Sequence, residues 1–154
     1  SSMLPAANLK VGVAESLPFD DRQFDLVTCL GALEHFLDQK KALSEMARIA
    51  KRDARVLILV PNAGFLTRRL GLYKGTEQAT IRETVFSIEE WKKMIVESGF
   101  SVDVVWRDLH PLSPEWIAHG AMWTWPVRAA QAMALALWPT AWQYQVYFLC
   151  RTQN

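Results

Sequence analysis

The sequence predicts an α/β fold built on a largely parallel sheet, and three observations carry that prediction. Two apolar runs of strand length, residues 24–30 (FDLVTCL) and 55–60 (RVLILV), are nearly continuous rather than alternating, as in strands buried on both faces. Segments of helical period lie between the strand-like runs. Turn residues mark each change of element. Alternation of this kind argues for one sheet with right-handed crossovers.

Each element has a local reason. Residues 9–14 (LKVGVA) read as a short strand, and Pro18, Asp20 and Asp21 supply turn chemistry after it. Residues 24–30 form the second strand. Residues 38–52 read as a helix: Asp38 is placed to cap it, and Ala42, Leu43, Met46, Ile49 and Ala50 share one face. The strand 55–60 ends at Pro61, Asn62, Ala63 and Gly64. Residues 65–85 mix Arg68, Arg69 and Lys74 with Gly71 and Gly75 and read as a loop or a broken helix. Ser87 and Glu90 make a capping box, Phe86 and Trp91 are spaced to staple that helix start, and Gly99 suits a left-handed cap. Residues 100–109 read as a strand with Val102, Val104 and Trp106 alternating. Residues 114–138 are helical in tendency and broken near Pro126. Residues 145–151 (QVYFLCR) form a last strand.

Composition excludes several classes. The 154 residues are 51% apolar and 21% charged, so the chain has the makings of a packed core. Its 17 basic and 16 acidic residues cancel to a net +1, which excludes nucleic-acid binding driven by bulk charge. Cys29 and Cys150 lie far apart in apolar runs and read as buried free thiols in a reducing, cytoplasmic setting. Ser1, Ser2, Met3 and Leu4 offer no basic start and no apolar run, so no secretory leader is expected. The most apolar stretch, 129–138, is about half the ~20 residues a membrane span needs.

Ligands of open α/β sheets lie beyond the carboxyl ends of the strands, which directs attention to the turns after Ala14, Leu30 and Val60. There the segments VAESLPFDDRQFDLVTCLGALEHFLD, LSEMARIAKRDARVLILVPN and FSIEEWKKMIVESGFSV closely resemble the class I S-adenosylmethionine-dependent methyltransferases. The small-molecule and quinone-type subgroup is the nearest. The resemblance covers residues 9–110 and rests on the joint order of the LPF, FD-V, LEH and VPN elements. It implies a Rossmann-like sheet in the order 3-2-1-4-5-7-6, of which this chain supplies strands 3 to 7 and lacks strands 1 and 2. No G-x-G-x-G occurs anywhere in the chain. The resemblance thus implies the C-terminal portion of a longer enzyme, a single partial domain over residues 1–154. That parent would use S-adenosylmethionine, with weak or absent binding by these residues alone. Removing strands 1 and 2 leaves a gap of about 14 Å beside strand 4, at ~4.8 Å per strand interval. A bare apolar edge is a template for pairing, so either a rearranged edge, self-association or docking of an N-terminal half is expected.

The resemblance also assigns site residues. Ala14, Glu15 and Ser16 after strand 3, and Leu30 and Gly31 after strand 4, fall at cofactor-binding positions. The family commonly places a carboxylate for the adenine amino group where this chain has Val13. Glu15 is then the acidic residue at hand, and the backbone N–H of Ala14 or Glu15 can meet the ring. His35 is the candidate catalytic residue, either as a general base or as a side chain packing the next helix. Glu34 and His35 alone make a poor site for a hard cation, and no metal is expected.

Six of the seven tryptophans fall between Trp106 and Trp142. The tryptophan-rich segment 111–143 therefore reads as an apolar helical insert before the last strand. It would cover a pocket for a small, apolar methyl acceptor, pack as a hairpin on the sheet, or touch a membrane surface. The competing reading of the whole chain is a non-catalytic methyltransferase-like module used in assembly.

Overall fold

A computed structural model describes residues 9–71, 84–110, 113–118 and 121–153. Its first regular strand, β1, is Phe24–Leu30. Helix α1 follows at Gln39–Ile49. Asp38 caps it, its carboxylate accepting from the Lys41 N–H at 2.9 Å. The helix stops three residues earlier than its sequence period suggests, because Ala50 already has extended backbone and opens β2, Ala50–Pro61. Asp53 takes up the excess chain with a left-handed φ of 59°. The β1–β2 register accordingly slips there, from Phe24 opposite Ala50 to Leu26 opposite Arg55.

A short helix, α2 at Leu66–Arg69, falls in the region read as a loop or broken helix; most of the remainder, 72–83, lies outside the described residues. Helix α3, Ile88–Glu97, carries the expected capping box. The Ser87 hydroxyl accepts from the Glu90 N–H at 3.3 Å, and the Glu90 carboxylate accepts from the Ser87 N–H at 2.8 Å. Phe86 and Trp91 meet edge to face at 4.9 Å, the expected staple. Gly99 turns the chain with a φ of 96° into β3, Phe100–Arg107. Next come α4, Pro114–Ile117, a single 3-10 turn at Met122–Thr124, and α5, Trp125–Leu137. The predicted break near Pro126 precedes that residue. Proline stands in the first turn of α5, where its missing N–H has no helical acceptor to lose. The last strand, β4, is Gln145–Thr152.

The strands run β1-β2-β4-β3, with β1 parallel to β2 and β4 antiparallel to both of its neighbours. One face is closed by α1 and α3. It holds Val56, Ile58 and Val60 of β2 and Val146, Phe148 and Cys150 of β4, all fully buried. The other face carries Leu57, Leu59 and Leu149, none of which is buried, with Trp106 stacked on Tyr147 at 5.3 Å.

One predicted strand does not form. Residues 9–12 belong to no strand, and Val13 makes only an isolated bridge to Ser16. An extended segment without a neighbour has no ladder to satisfy its backbone. Among the described residues no strand pairs with the outer edge of β1, and Leu26 and Leu30 stand 59% and 51% exposed there.

The capping box and the staple are separable in energy. Ser87→Ala is expected to lower stability by about 1 kcal/mol. Trp91→Ala, which empties a fully buried site and orphans the Pro61 carbonyl, is expected to cost about 3–5 kcal/mol. Urea unfolding of the two variants checks both the magnitudes and their order.

Candidate functional site

The carboxyl ends of β1 and β2 lie side by side, and each is shaped by its last residues. Gly31 ends β1 with a φ of 62° while its N–H still donates to the Leu59 carbonyl at 3.0 Å. A side chain at that φ would be strained, so glycine suits the turn. One 3-10 turn follows, Leu33–His35, anchored by fully buried Leu33. Glu34 is 3% exposed, which is unusual for a carboxylate. Its backbone carbonyl accepts from the Thr84 N–H at 3.0 Å. His35 keeps about a third of its side chain in solvent, and its Nε2 lies 4.0 Å from Glu34 Oε1.

The end of β2 is pinned more firmly. Asn62 is 2% exposed. Its Nδ2 donates to the Ala141 carbonyl at 2.9 Å and to the Gln143 carbonyl at 3.0 Å, and its Oδ1 accepts from the Gly64 N–H at 2.9 Å. Its own N–H donates to the Tyr144 carbonyl at 2.8 Å. All of this buried amide's polar groups are thus directed at backbone. The Trp91 indole donates to the Pro61 carbonyl at 2.9 Å one residue earlier.

The third turn, after Ala14, is held against these two by charged side chains. Glu15 Oε1 accepts from the Leu37 and Asp38 N–H groups at 3.0 and 3.2 Å. Those backbone bonds, with Asp38 first, hold its carboxyl below the ordinary range. Glu45 on α1 accepts from the Leu17 N–H at 2.9 Å. Arg48 donates to the Leu17 and Phe19 carbonyls and to the carboxylates of Glu45 and Asp21. Hydrogen bonding to Glu45 and Asp21 keeps the guanidinium charged.

Between that loop, β1 and α1 lies an open, mainly apolar cavity of about 310 Å³. Ala14, Leu17 and Phe19 form one wall, Val27 and Cys29 another, and Met46 the floor. Leu30 and Gly31 do not line it. The Cys29 thiol is pushed up to about 11 by burial and by the nearby Glu34 charge, so it remains protonated and packs as a small apolar group.

Of the six residues singled out by sequence, Ala14 faces this cavity, and Ser16 closes its turn through its N–H to the Val13 carbonyl at 3.1 Å. Glu15 bridges to the start of α1. Leu30, Gly31 and His35 follow one another at the end of β1. For S-adenosylmethionine these residues fit one wall of a site: a backbone turn at 14–16 and a glycine turn at 31. The sequence holds no G-x-G-x-G for the rest. Sequence reasoning missed the structural weight of Asn62, Glu45 and Arg48. A polar residue immediately after a continuous apolar strand, as in VPN, was the available signal for Asn62.

The chain is similar to known methyltransferases in sequence and in fold. A family described as "Methyltransferase domain" matches residues 2–58. The uncharacterized methyltransferase YcgJ of Bacillus subtilis is 33% identical over 114 residues, 71% of this chain and 44% of that protein. The ubiquinone/menaquinone biosynthesis C-methyltransferase UbiE of Pseudoalteromonas translucida is 35% identical over 88 residues, 55% of this chain and 35% of UbiE. In both cases the match spans less than half of the relative's length. In fold, the chain superposes on a SAM-dependent methyltransferase from Thermotoga maritima with a TM-score of 0.64 at 18% identity, covering 93% of this chain and 62% of that one.

The Glu15 bridge gives a pH-dependent outcome. A carboxyl whose folded pKa is lowered stabilises the fold above its ordinary value of 4.5 and loses that contribution as pH falls through the lowered value. Glu15→Gln is expected to reduce stability at neutral pH and to flatten the acid limb of the stability profile. It should also speed hydrogen exchange at the Leu37 and Asp38 amides, measured by NMR.

Proposed function

We propose that this chain, similar to the class I S-adenosylmethionine-dependent methyltransferases, forms the C-terminal part of an enzyme methylating a small, apolar acceptor. The observation that carries this reading is the edge of β1 with which no strand pairs among the described residues. The order β1-β2-β4-β3 with β4 reversed corresponds to family strands 4-5-7-6. The next family strand would lie against the edge that here exposes Leu26 and Leu30. The matched share of YcgJ, 44%, is in keeping with an enzyme whose other strands lie elsewhere.

In this reading the described residues supply the acceptor side of the reaction and one wall of the cofactor site. S-adenosylmethionine supplies the electrophilic methyl group when bound. Ala14, Glu15 and Ser16 on one turn, with Leu30 and Gly31 on the other, would meet its nucleoside part. The apolar cavity and the tryptophan-rich insert, residues 111–143, would favour an acceptor of low polarity. His35, partly exposed beside buried Glu34, would take a proton from the acceptor. The isolated chain would be inactive, because one wall cannot hold the cofactor. Cytoplasmic residence suits two buried thiols. Among the described residues no helix is long and apolar enough to cross a membrane.

A second reading is favoured by the same bare edge: a non-catalytic module that uses β1 for assembly, either with an N-terminal half or with another copy of itself.

Calorimetric titration with S-adenosylhomocysteine separates these readings. The 154-residue chain is expected to show no micromolar binding, whereas a longer form carrying the N-terminal strands should bind and should methylate. Micromolar binding by the short chain would overturn the partial-site reading. A longer form that binds nothing would favour the assembly module. In an active longer form, His35→Gln is expected to lower kcat by about 100-fold or more if His35 is the base, with KM little changed.

A further inference from the structure

We propose that the outer face of α5, with the arginine pair of α2, docks the protein on the surface of an anionic lipid bilayer. Three observations converge on this surface.

The first is exposure without charge. Val127, Met133 and Leu137 are 59%, 65% and 86% exposed along α5, and Trp123 on the turn before it is 80% exposed. At ~100° per residue these positions share one side of the helix. Only Ala132 of α5 is buried. From residue 116 to residue 150 the only Lys, Arg, Asp or Glu is Arg128. A protein partner of charged character would find nothing there to pair with, whereas hydrocarbon asks for none.

The second is the placing of the aromatic rings. Trp125 starts the helix with Trp123 on the turn before it, and Trp138 caps its end with Trp142 on the 3-10 turn that follows. Trp125 and Trp142 are 39% and 38% exposed. Indole rings favour the depth of lipid headgroups, with an apolar body and an N–H for the polar side. Tryptophan at both ends suits a helix lying flat, and 13 residues span only about 20 Å, too short to cross a bilayer.

The third is charge complementarity. Arg68 and Arg69 are exposed at the end of α2. Phe65, the residue before α2, packs edge to face on Tyr144 at 5.0 Å. Asn62 ties the same turn to Ala141. These contacts hold α2 beside the segment that leaves α5. Two guanidinium groups near the segment that follows an apolar helix match phosphate headgroups below which acyl chains begin.

The surface is also separate from the edge of β1. The insert is fixed to the opposite end of the sheet: Arg107 of β3 donates to the carbonyls of Ala136 and Trp138, and Gln143 donates to that of Leu135. The proposal therefore does not rest on the methyltransferase reading.

Vesicle co-sedimentation of the full chain tests it, with vesicles of phosphatidylcholine alone and of phosphatidylcholine mixed with phosphatidylglycerol. The expected result is binding to the mixed vesicles about tenfold tighter than to the neutral ones, with a blue shift of tryptophan emission. Met133→Glu with Leu137→Glu alters two solvent-exposed positions and should abolish binding to both. Arg68→Gln with Arg69→Gln should remove the anionic preference while leaving weak binding. Circular dichroism confirms that each variant folds, and quenching by bromine-labelled lipid reports the depth of the rings in the unmutated chain. No binding to either vesicle, or binding unchanged by the paired glutamates, would overturn the proposal. So would light scattering that shows a dimer dissolved by the paired glutamates, since a second copy would then occupy the face.

Discussion

The arrangement depends on the pairing of β2 along both of its edges. It runs parallel to β1 on one side and antiparallel to β4 on the other, and Val56, Ile58 and Val60 point into the layer closed by α1 and α3. Every other element is placed by reference to that strand. Its carboxyl end is fixed by two buried donors, the Trp91 indole on Pro61 and the Asn62 amide on the chain before β4. An unsatisfied buried carbonyl or amide costs roughly 1–3 kcal/mol, so these bonds specify where the strand stops. The candidate site lies at that end because the turns after β1 and β2 meet there.

The loop after Ala14 illustrates how charge substitutes for a sheet neighbour. With no ladder to hold residues 9–14, Glu15, Glu45 and Arg48 bind the loop's surroundings through backbone groups. Glu15 Oε1 caps the N–H groups of Leu37 and Asp38, and the Glu45–Arg48 pair clasps Leu17 and Phe19. A carboxylate oxygen already accepting two backbone N–H groups is poorly placed to take a third donor. The Glu15 side chain therefore serves loop geometry first, and an adenine amino group would have to be met by its other oxygen or by backbone.

Much of this architecture was legible in the residues because local and global preferences agree. FDLVTCL and RVLILV can be little other than buried strands, and Ser87 with Glu90 declares a helix start whose geometry is then observed. The FD-V, LEH and VPN elements marked the ends of β1 and β2. The failures have equally local causes. LKVGVA has strand propensity without a partner, and propensity alone does not make a strand. The helix period of 38–52 continues through Ala50, but Ala50 already has extended backbone and opens β2. The buried state of Glu34 and the fourfold anchoring of Asn62 depend on residues distant in sequence, Thr84 and Ala141 among them, which no window of the chain brings together.

The molecule ends in two apolar surfaces of different character, and their separation matters. Among the described residues, the edge of β1 has no strand partner beside Leu26 and Leu30. Backbone at such an edge is satisfied by another strand and by nothing in a lipid phase. The face of α5 offers side chains only, its backbone bonds being closed within the helix. β1 and β3, the strand to which Arg107 ties the end of α5, are the two edge strands of the sheet, about 14 Å apart at ~4.8 Å per interval. A strand added at β1 would continue the core away from α5, and a surface gathered by α5 would leave the β1 ladder open. Each therefore calls for its own kind of neighbour, and completing one does not complete the other.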